Sequence, residues 1–379
     1  MDQLRTFLKT AWERCQQIAA RLWARHKAHP VRWAIVDIVV LALLALFFWP
    51  VPYDAAAWKP KPNPYGSGVF AANQLLARAK LLPVDGAGPE GIDIGADGLI
   101  YTGLDDGRIV RLDEDGRQEV LANTHGRPLG VQFDADGSLV IADAFKGLMR
   151  LAPDGTLELL TDTYNGEPMI FVDDLDIGSD GRIWFSDAST RFDLHHNLLD
   201  FFGNDPSGRL MVYDPASGRT ELALDNLAFA NGVALAADES FVLVNETFRN
   251  KIMRYWLSGP KQGTSDLFMD NLPGYPDNIT RDADGRFWIA LVAPRTDLLD
   301  ALMPYPFLRK AAWRLMQLAG ASPVTPGSWA VAVDAEGNVL HNLEDPTGRI
   351  FALTSVIAHE GQLYLGSLTS PAIGILTAP

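Results

Sequence analysis

The chain has 379 residues, 47 of them acidic and 32 basic, so its net charge is −15, and 47% of its residues are apolar. That apolar share is ample for a buried core and excludes global disorder, while the acidity argues against a nucleic-acid partner, which needs a clustered basic face. Cys15 is the only cysteine, so no intramolecular disulfide can form and the fold must be stabilised by packing or by a metal ion.

The N-terminal region combines a basic segment, residues 1–30, with an apolar segment, residues 31–53. The apolar segment contains AIVDIVVLALLALFFW, interrupted only by Asp37. About 20 such residues span a bilayer, so we predict a transmembrane anchor, with the preceding basic residues holding the N-terminus in the cytoplasm. The rest of the chain would then lie in the periplasm, a lumen or the extracellular space. A signal peptide cleaved near Ala55–Ala57 and a buried soluble helix are the alternatives.

Residues 54–72 are rich in proline, which predicts a stiff, extended linker before the folded body of residues 73–379. Beyond residue 70 a hairpin pattern recurs, in which an acidic turn residue separates two runs of alternating apolar residues. The turn acids lie 39 to 58 residues apart and are Asp97, Asp136, Asp180, Asp238 and Asp284, with a sixth unit from Ser355.

A second hairpin follows within most units, so each unit predicts a four-stranded blade. Six such units predict an all-β fold, a six-bladed β-propeller, in which Leu75–Val84 supplies the strand that the last blade lacks. A two-sheet sandwich is the alternative, but it does not explain the repeat. The segment 294–320 interrupts the pattern with short amphipathic helices, which predicts a lid over a pocket, a membrane contact or simple packing against the propeller.

Polar residues recur at one offset, seven positions before each turn acid. Because the inner strands of all blades line one channel, residues at one offset lie at one height around it. These positions hold Glu90, Leu129, Asp173, Asn231 and Asp277, with Asn278 beside the last. Carboxylates brought together would repel, and an all-oxygen donor set suits Ca²⁺ better than other divalent cations. The plain alternative is that Asn and Asp merely favour the starts of strands.

The stretch from Gly208 to Phe268 closely resembles the core of strictosidine synthase-like proteins, and GRPLGV at Gly126 and GQLYLGSL at Gly361 are similar to other landmarks of that family. The anchor and layout look most like its adipocyte plasma membrane-associated branch. The resemblance implies a six-bladed propeller related to paraoxonases and gluconolactonases, which use a channel calcium for ester and lactone hydrolysis. It carries Glu90, Asn231, Asp277 and Asn278 over as calcium ligands.

Three positions depart from the family pattern. Asp173 lies where relatives usually have Asn, and the added carboxylate should tighten ion binding while reducing the Lewis acidity of the ion. Thr354 replaces the glutamate of true strictosidine synthases, which argues against their condensation reaction. Leu129 replaces the channel histidine of paraoxonases, and His125 is a candidate substitute, with a surface-loop histidine as the ordinary interpretation.

Other polar residues are predicted near the same end of the channel, and each has a structural interpretation as well as a functional one. His195 and His196 are adjacent, so they would point apart, and a solvent-exposed or capping role is expected rather than a metal site. Asp143, Asp187 and Glu246 each end the second strand of a hairpin, where a bond to neighbouring loop amides is the ordinary role and a general base is the alternative.

The first functional hypothesis is a membrane-anchored, calcium-dependent hydrolase of lactones, aryl esters or similar apolar or amphipathic esters. Its candidate catalytic residues are Asp173 and His125, and its candidate metal ligands are Glu90, Asp173, Asn231, Asp277 and Asn278. The alternatives are a noncatalytic propeller with a structural calcium that binds a partner, and a strictosidine synthase-like condensing enzyme.

Overall fold

The computed structural model describes residues 9, 12–14, 16–17, 19–21, 23–24, 27–321, 325 and 327–379. Much of the basic segment, including Cys15, therefore lies outside the described residues. Helix α1, Pro30–Phe48, starts with a proline, whose fixed φ suits the first helical turn, and it ends before Pro50. Its mean hydropathy is 2.4 and none of it is buried, so by length and composition it could cross a membrane.

The described part of the body forms a ring of six four-stranded antiparallel sheets, which confirms the predicted six-bladed propeller. In chain order the strands after β1 (Lys80–Pro83) are β2 Ile92–Ile94, β3 Ile100–Gly103, β4 Arg108–Leu112, β5 Gln118–Asn123; β6 Pro128–Phe133, β7 Leu139–Asp143, β8 Gly147–Leu151, β9 Leu157–Thr161; the small hairpin β10 Thr163–Tyr164 and β11 Glu167–Pro168; β12 Val172–Ile177, β13 Ile183–Asp187, β14 Gly208–Asp214, β15 Arg219–Leu227; β16 Ala230–Leu235, β17 Phe241–Glu246, β18 Lys251–Trp256, β19 Ser265–Met269; β20 Gly274–Arg281, β21 Phe287–Pro294, β22 Ser328–Val333, β23 Val339–Asp345; and β24 Leu353–His359, β25 Gln362–Ser367, β26 Ala372–Thr377.

The ring closes as the strand count predicts. Strand β1, from the start of the body, pairs antiparallel with β26, from its end, with Lys80 opposite Ile375. The sixth blade is therefore β1-β26-β25-β24. Pairing between the start and the end of the body therefore completes the sixth blade and closes the ring, with β1 as the outer strand of that blade.

The inner hairpins turn at the predicted acids. Asp136 accepts a bond from the N–H of Ser138 at 2.9 Å, and Gly137 adopts φ +81°, which glycine reaches without strain. In the fourth blade Glu239 takes the same place with φ +53°. A side chain is costly there, so this turn holds its shape through the surrounding sheet rather than by local preference.

Six hydrophobic clusters stabilise the ring, one between each pair of neighbouring blades. Side chains alternate across each strand, so Trp288 and Ala290 of β21 enter the cluster against the sixth blade while Phe287 and Ile289 enter the one against the fourth. Both faces of a blade are thus buried, which is why runs such as FWIAL are apolar without alternation.

Three α-helices and four short 3-10 helices lie outside the blades in the described part of the body. Helix α2 is Asn197–Gly203, α3 is Asp297–Leu302 and α4 is Pro306–Ala319. Thr296 caps α3 by accepting the N–H of Leu299 at 3.3 Å, and Gly320 ends α4 with φ +60°. Short 3-10 helices lie at Gly68–Phe70, Leu76–Arg78, Leu194–His196 and Thr247–Arg249.

Residues 54–72, predicted as a linker, are extended but lie against the body instead of spanning a gap. The Arg295 guanidinium donates to the carbonyl of Lys61 at 2.7 Å, and Asn271 donates to the carbonyl of Pro62 at 3.0 Å. Phe70 is buried in the cluster between the fourth and fifth blades. Tyr53 packs with α2 and α4 in a separate cluster. The end of α1 is therefore held close to the propeller.

Candidate metal centre and apolar cavity in the channel

The predicted donor positions coincide with irregularities in the inner strands. The pairing register shifts between Val172 and Leu175, between Ala230 and Val233, and between Pro276 and Ile279. Such a β-bulge re-aims the side chain that it contains, here Asp173, Asn231 and the pair Asp277–Asn278. The repeated bulge is the physical reason for the repeated offset of seven residues.

The same irregularity marks the second and sixth blades. The register shifts around Leu129 in β6 and around Thr354 in β24. Counting from turn acids missed Thr354, because the last inner hairpin has a shorter turn, with His359 opposite Gln362. Six equivalent positions therefore surround the channel, and four of them carry the predicted oxygen donors.

All the predicted ligands are buried, and one pair is in direct contact. Asn278 donates its amide N–H to Oε1 of Glu90 at 3.1 Å, across the ring from fifth blade to first. Glu90 is 1% exposed. Glu90 Oε2, Asn231 Oδ1 and Asn278 Oδ1 are buried without a hydrogen-bond partner. Unpartnered buried oxygens are costly, so three of them together indicate a missing positive partner.

The carboxyl groups of the ring have raised pKa values, and burial is the largest cause of each shift. Burial raises the pKa of Glu90 to about 7, although the neighbouring Arg127 guanidinium acts in the opposite direction. Burial raises the pKa of Asp173 and of Asp277 well above the ordinary value, and the negative charge of Glu90 adds to the effect on both. Like charges in a dry channel therefore cannot all be ionised unless a cation joins them.

The residues fit a hard divalent cation by the chemistry of their donors. The set contains three carboxylates and two amides, all oxygen ligands of the kind that Ca²⁺ accepts in flexible geometry. Among the described residues, no group of three or more His, Cys, Asp and Glu side chains has metal-binding spacing by itself. The buried, unpartnered amide oxygens of Asn231 and Asn278 complete the candidate donor set.

Arg127 is a part of the site that the sequence did not reveal. It is 2% exposed and donates to the carbonyl oxygens of Gly88 at 2.9 Å and Leu368 at 3.2 Å. Its charge favours the ionised forms of Glu90 and Asp173. It is the arginine of the GRPLGV motif, but an isolated arginine carries no sign of burial in sequence.

The backbone of Glu90 is held from the sixth blade. Ser355 donates its hydroxyl to the Glu90 carbonyl at 2.6 Å, and Thr354 does so at 3.1 Å. A Cβ on Gly366 would come within 2.1 Å of the same oxygen, so glycine is required there. Thr354, at the position of the glutamate of strictosidine synthases, is thus buried and serves to position Glu90.

Two cavities meet at the ring from opposite sides. An apolar cavity of about 270 Å³ lies at the strand-start end, and Asp277 forms part of its wall. Its other lining residues include Leu198 and Phe201 of α2, Phe248, Tyr275 and Leu299 of α3. A polar cavity of about 230 Å³ continues down the channel past Asn278 and Asp174. The pair Asp277–Asn278 separates an apolar compartment from a polar one.

The other candidate bases lie outside the apolar cavity or are hydrogen-bonded to neighbouring residues. His125 is exposed on the loop between β5 and β6, with φ +55°, and is not among the residues that line the apolar cavity. Its proposed catalytic role therefore has no geometric support. His195 stacks on Phe145, and His196 bonds to Asp193 at 2.7 Å, as expected for residues outside the site.

The three acids that end the second strands bond to neighbouring groups. Asp143 accepts the backbone N–H groups of Arg127 and Phe145 at 3.0 and 2.9 Å. Asp187 pairs with Arg209 at 2.9 Å, and Glu246 with Lys251 at 2.7 Å. Each organises a loop at the rim.

Relatives of known name align along most of the chain. It is 34% identical over 363 residues to the adipocyte plasma membrane-associated protein of Rattus norvegicus, covering 89% of this chain and 96% of the relative. It is 36% identical over 359 residues to strictosidine synthase-like protein 10 of Arabidopsis thaliana, covering 83% and 94%. The family models for strictosidine synthase and for the strictosidine synthase-like N-terminal region match residues 173–260 and 68–112.

Solved structures share the fold at low identity. A gluconolactonase from Xanthomonas campestris superposes with a TM-score of 0.59 at 19% identity, covering 86% of this chain and 97% of that one. The calcium-binding protein regucalcin from Agrobacterium tumefaciens superposes with a TM-score of 0.55 at 16% identity, covering 79% and 92%. At these identities the likeness establishes a common propeller fold.

Proposed function

The chain belongs to the strictosidine synthase-like family that includes the adipocyte plasma membrane-associated proteins, and from this membership and its channel we propose a membrane-anchored, calcium-dependent hydrolase of lactones or apolar esters. The observation that carries the proposal is the position of the oxygen ring. Asp277 lies in the wall of the apolar cavity, and the next residue, Asn278, carries a buried oxygen without a hydrogen-bond partner. A charged centre beneath an apolar pocket suits an uncharged substrate with one polar bond.

The ring residues would hold the cation, namely Glu90, Asp173, Asn231, Asp277 and Asn278. When bound there, a divalent cation supplies positive charge that can polarise a carbonyl oxygen and stabilise an oxyanion. The chain itself supplies the rest. Phe201, Tyr275 and Phe248 bind the apolar part of the substrate and exclude bulk water from the carbonyl.

Asp173 is the candidate acid-base group. It is 3% exposed, and burial raises its pKa well above the ordinary value, which favours its protonated form more than that of an exposed aspartate. Such a group can accept a proton at a carboxylate oxygen and return it to a leaving group. His125 has no part in this proposal, because it lies on an exposed loop.

The noncatalytic alternative has an observation in its favour. Of the side chains that line the apolar cavity, Asp277 and Tyr275 are the ionisable ones among the described residues, and burial raises the pKa of Tyr275. A cavity wall with so few titratable groups also suits a binding protein whose ion is structural. The hydrolase would turn over an ester or lactone, whereas the binding protein would not.

The test is esterase and lactonase turnover by the full-length chain in detergent micelles, with and without chelator, alongside its melting temperature. The full chain is needed because residues 53–72 pack on the propeller. Asp277→Asn should abolish chelator-sensitive turnover in protein that stays folded, and Asp225→Asn, at an exposed strand end, is the matched control. Absent turnover on every ester and lactone, combined with a large melting shift on chelation, would favour the structural ion.

We also propose the topology that the charge pattern predicts, with the N-terminus in the cytoplasm and the propeller on the other side of the membrane. Cysteine labelling of intact cells at an exposed propeller position would test it.

A further inference from the structure

The last turn of α1 is fastened to α4 by an aromatic stack and by two hydrogen bonds. The Phe47 and Phe307 rings are 4.8 Å apart and 14° from parallel. Arg314 donates to the carbonyl of Leu46 at 2.7 Å and also to that of Trp49. These two carbonyls lie at the helix end, where no intrahelical donor remains for them.

The contacts indicate that α4 crosses the end of α1 instead of running along it. Phe307 and Arg314 are seven residues apart, about 10 Å along α4, yet both contact the same last turn of α1. A helix that crosses the exit of a membrane-spanning helix lies along the membrane plane. Trp49, beside this crossing, is exposed, as is usual for aromatic residues at a bilayer interface.

One face of α4 is apolar, exposed and next to the α1 contact. Leu308, Leu315 and Leu318 are 42%, 53% and 84% exposed. Residues three, four and seven apart share a face of a helix, so these leucines flank the line from Phe307 to Arg314. Trp313, on the other side of α4, packs on Phe202 of α2 at 5.2 Å. The helix therefore has one apolar side against the propeller and a second apolar side that is partly to largely exposed.

The charge of α4 differs from that of the body. After residue 32 the chain has 25 basic and 45 acidic residues, yet α4 contains Arg309, Lys310 and Arg314 and no acid. Arg309 is buried against the propeller, so Lys310 and Arg314 are the charges that α4 can present to an anionic lipid surface, which would repel most of the propeller.

The apolar cavity is built on the same helices. Arg309 of α4 donates to the carbonyl of Phe202 at 2.8 Å, at the end of α2. Phe201 and Leu198 of α2 and Leu299 of α3 line the cavity. The cavity and the exposed face of α4 therefore lie at the end of the propeller that the anchor holds near the bilayer.

We propose that α4 lies in the headgroup region of the bilayer that α1 spans, with Leu308, Leu315 and Leu318 inserted, so that the apolar cavity faces lipid. The membrane contact stands apart from any activity. Its consequence for the substrate rests on the proposed hydrolase function: the cavity receives an ester or lactone that has partitioned into the membrane.

The test uses the full-length chain in vesicles of zwitterionic and anionic phospholipid, some of it carrying a nitroxide on the acyl chain. A fluorescent label is attached to Leu315→Cys or Leu318→Cys in a Cys15→Ser background. Ala335→Cys is the matched control, because Ala335 is exposed in the turn between β22 and β23, at the opposite end of the propeller. Nitroxide lipid should quench the first two labels at least about twofold and leave the third unchanged, since only inserted side chains meet acyl chains.

A second measurement separates the contact from the activity. Leu315→Glu combined with Leu318→Glu, read by a label at Leu308→Cys, should lose lipid quenching, because a carboxylate is disfavoured among acyl chains. The same variant should lose at least about tenfold in turnover of a long-chain ester presented in vesicles while keeping turnover of a short, soluble ester. Leu315 and Leu318 contact neither ring nor cavity, so the soluble reaction is the internal control.

The outcomes are distinguishable. Labels at positions 315 and 318 that respond only to water-soluble quenchers would overturn the membrane contact, and equal quenching at 335 would mean general adsorption and overturn it too. A label shielded from lipid but altered by an ester analogue would show a lid instead. Lipid quenching without turnover of any ester would leave the membrane contact in place and remove the hydrolase.

Discussion

The sharpest prediction concerns how pH changes the stability of the protein without its cation. Burial raises the pKa of Glu90 to about 7, from an ordinary value of 4.5. The folded state therefore holds a proton that the unfolded state releases between these two values. Stability must then fall as pH rises through this window, because the folded state binds more protons than the unfolded one.

The size of the effect follows from the shift. A shift of one pKa unit corresponds to about 1.4 kcal/mol, so Glu90 alone should lower the free energy of unfolding by about 3 kcal/mol between pH 4.5 and pH 7. Asp173 and Asp277, whose pKa values are also raised, act in the same direction. Carboxylates with lowered pKa, such as Asp266, lose their contribution only at lower pH and do not disturb the window.

The assay is thermal unfolding of the full-length chain at pH 5 and pH 8, with chelator and with saturating calcium. Chelated protein should melt roughly 5 °C or more lower at pH 8, and calcium should restore more stability at pH 8 than at pH 5, because protons compete with the cation. Glu90→Gln should make the chelated profile shallower, with Asp173 and Asp277 still contributing, whereas Glu158→Gln, at an exposed strand position, should leave it unchanged. A calcium effect that is equal at both pH values would refute the reasoning.

Three further outcomes are expected. Asp173→Asn should weaken calcium binding, measured by calorimetry, yet raise the melting temperature of the chelated protein at pH 8, because one buried like charge is removed. Arg127→Met should lower the free energy of unfolding by about 3 to 5 kcal/mol at pH 8 and by clearly less at pH 5, since protonated carboxyls need no buried cation; equal losses would contradict this. Leu82→Ala should cost about 2 to 5 kcal/mol in urea unfolding, because Leu82 is buried where β1 closes the ring, and a loss below about 1 kcal/mol would show that closure is dispensable.

The fold could be predicted because its information is local and repeated. Each inner hairpin carries its own turn acid and alternating runs, and the unfinished sixth unit implied that an early strand closes the ring. The donors could be predicted for the same reason, since one bulge recurs in successive inner strands. Thr354 does not lie seven residues before a turn acid, because its hairpin has a shorter turn.

What could not be predicted depends on contacts between distant parts of the chain. Arg127 donates a hydrogen bond to the carbonyl of Leu368, which is 241 residues further along the chain. No local sequence pattern indicates this contact. The docking of residues 54–72 depends on Arg295 and Asn271, far along the chain. His125 is a candidate from sequence that the structure places on an exposed loop. Its closeness in sequence to Leu129 suggests a role in the channel. In the structure the backbone N–H of His125 donates to the Asn123 side chain, and the His125 side chain is exposed to solvent.

The buried charges explain why a cation and an arginine are both needed at one ring. Glu90, Asp173, Asp174 and Asp277 are buried together, and Arg127 is the buried guanidinium beside them. Arg127 alone would leave three uncompensated negative charges, and a divalent cation alone would leave two. With both, one negative charge remains, on a ring where Asp174 accepts the N–H of Val233 at 2.9 Å. A nearly neutral set of charges can be buried at low cost in free energy. With Arg127 alone or the cation alone, the remaining negative charge favours protonation of the carboxyls. Occupancy by the cation should therefore set the protonation of the ring, and with it the group available for acid-base chemistry.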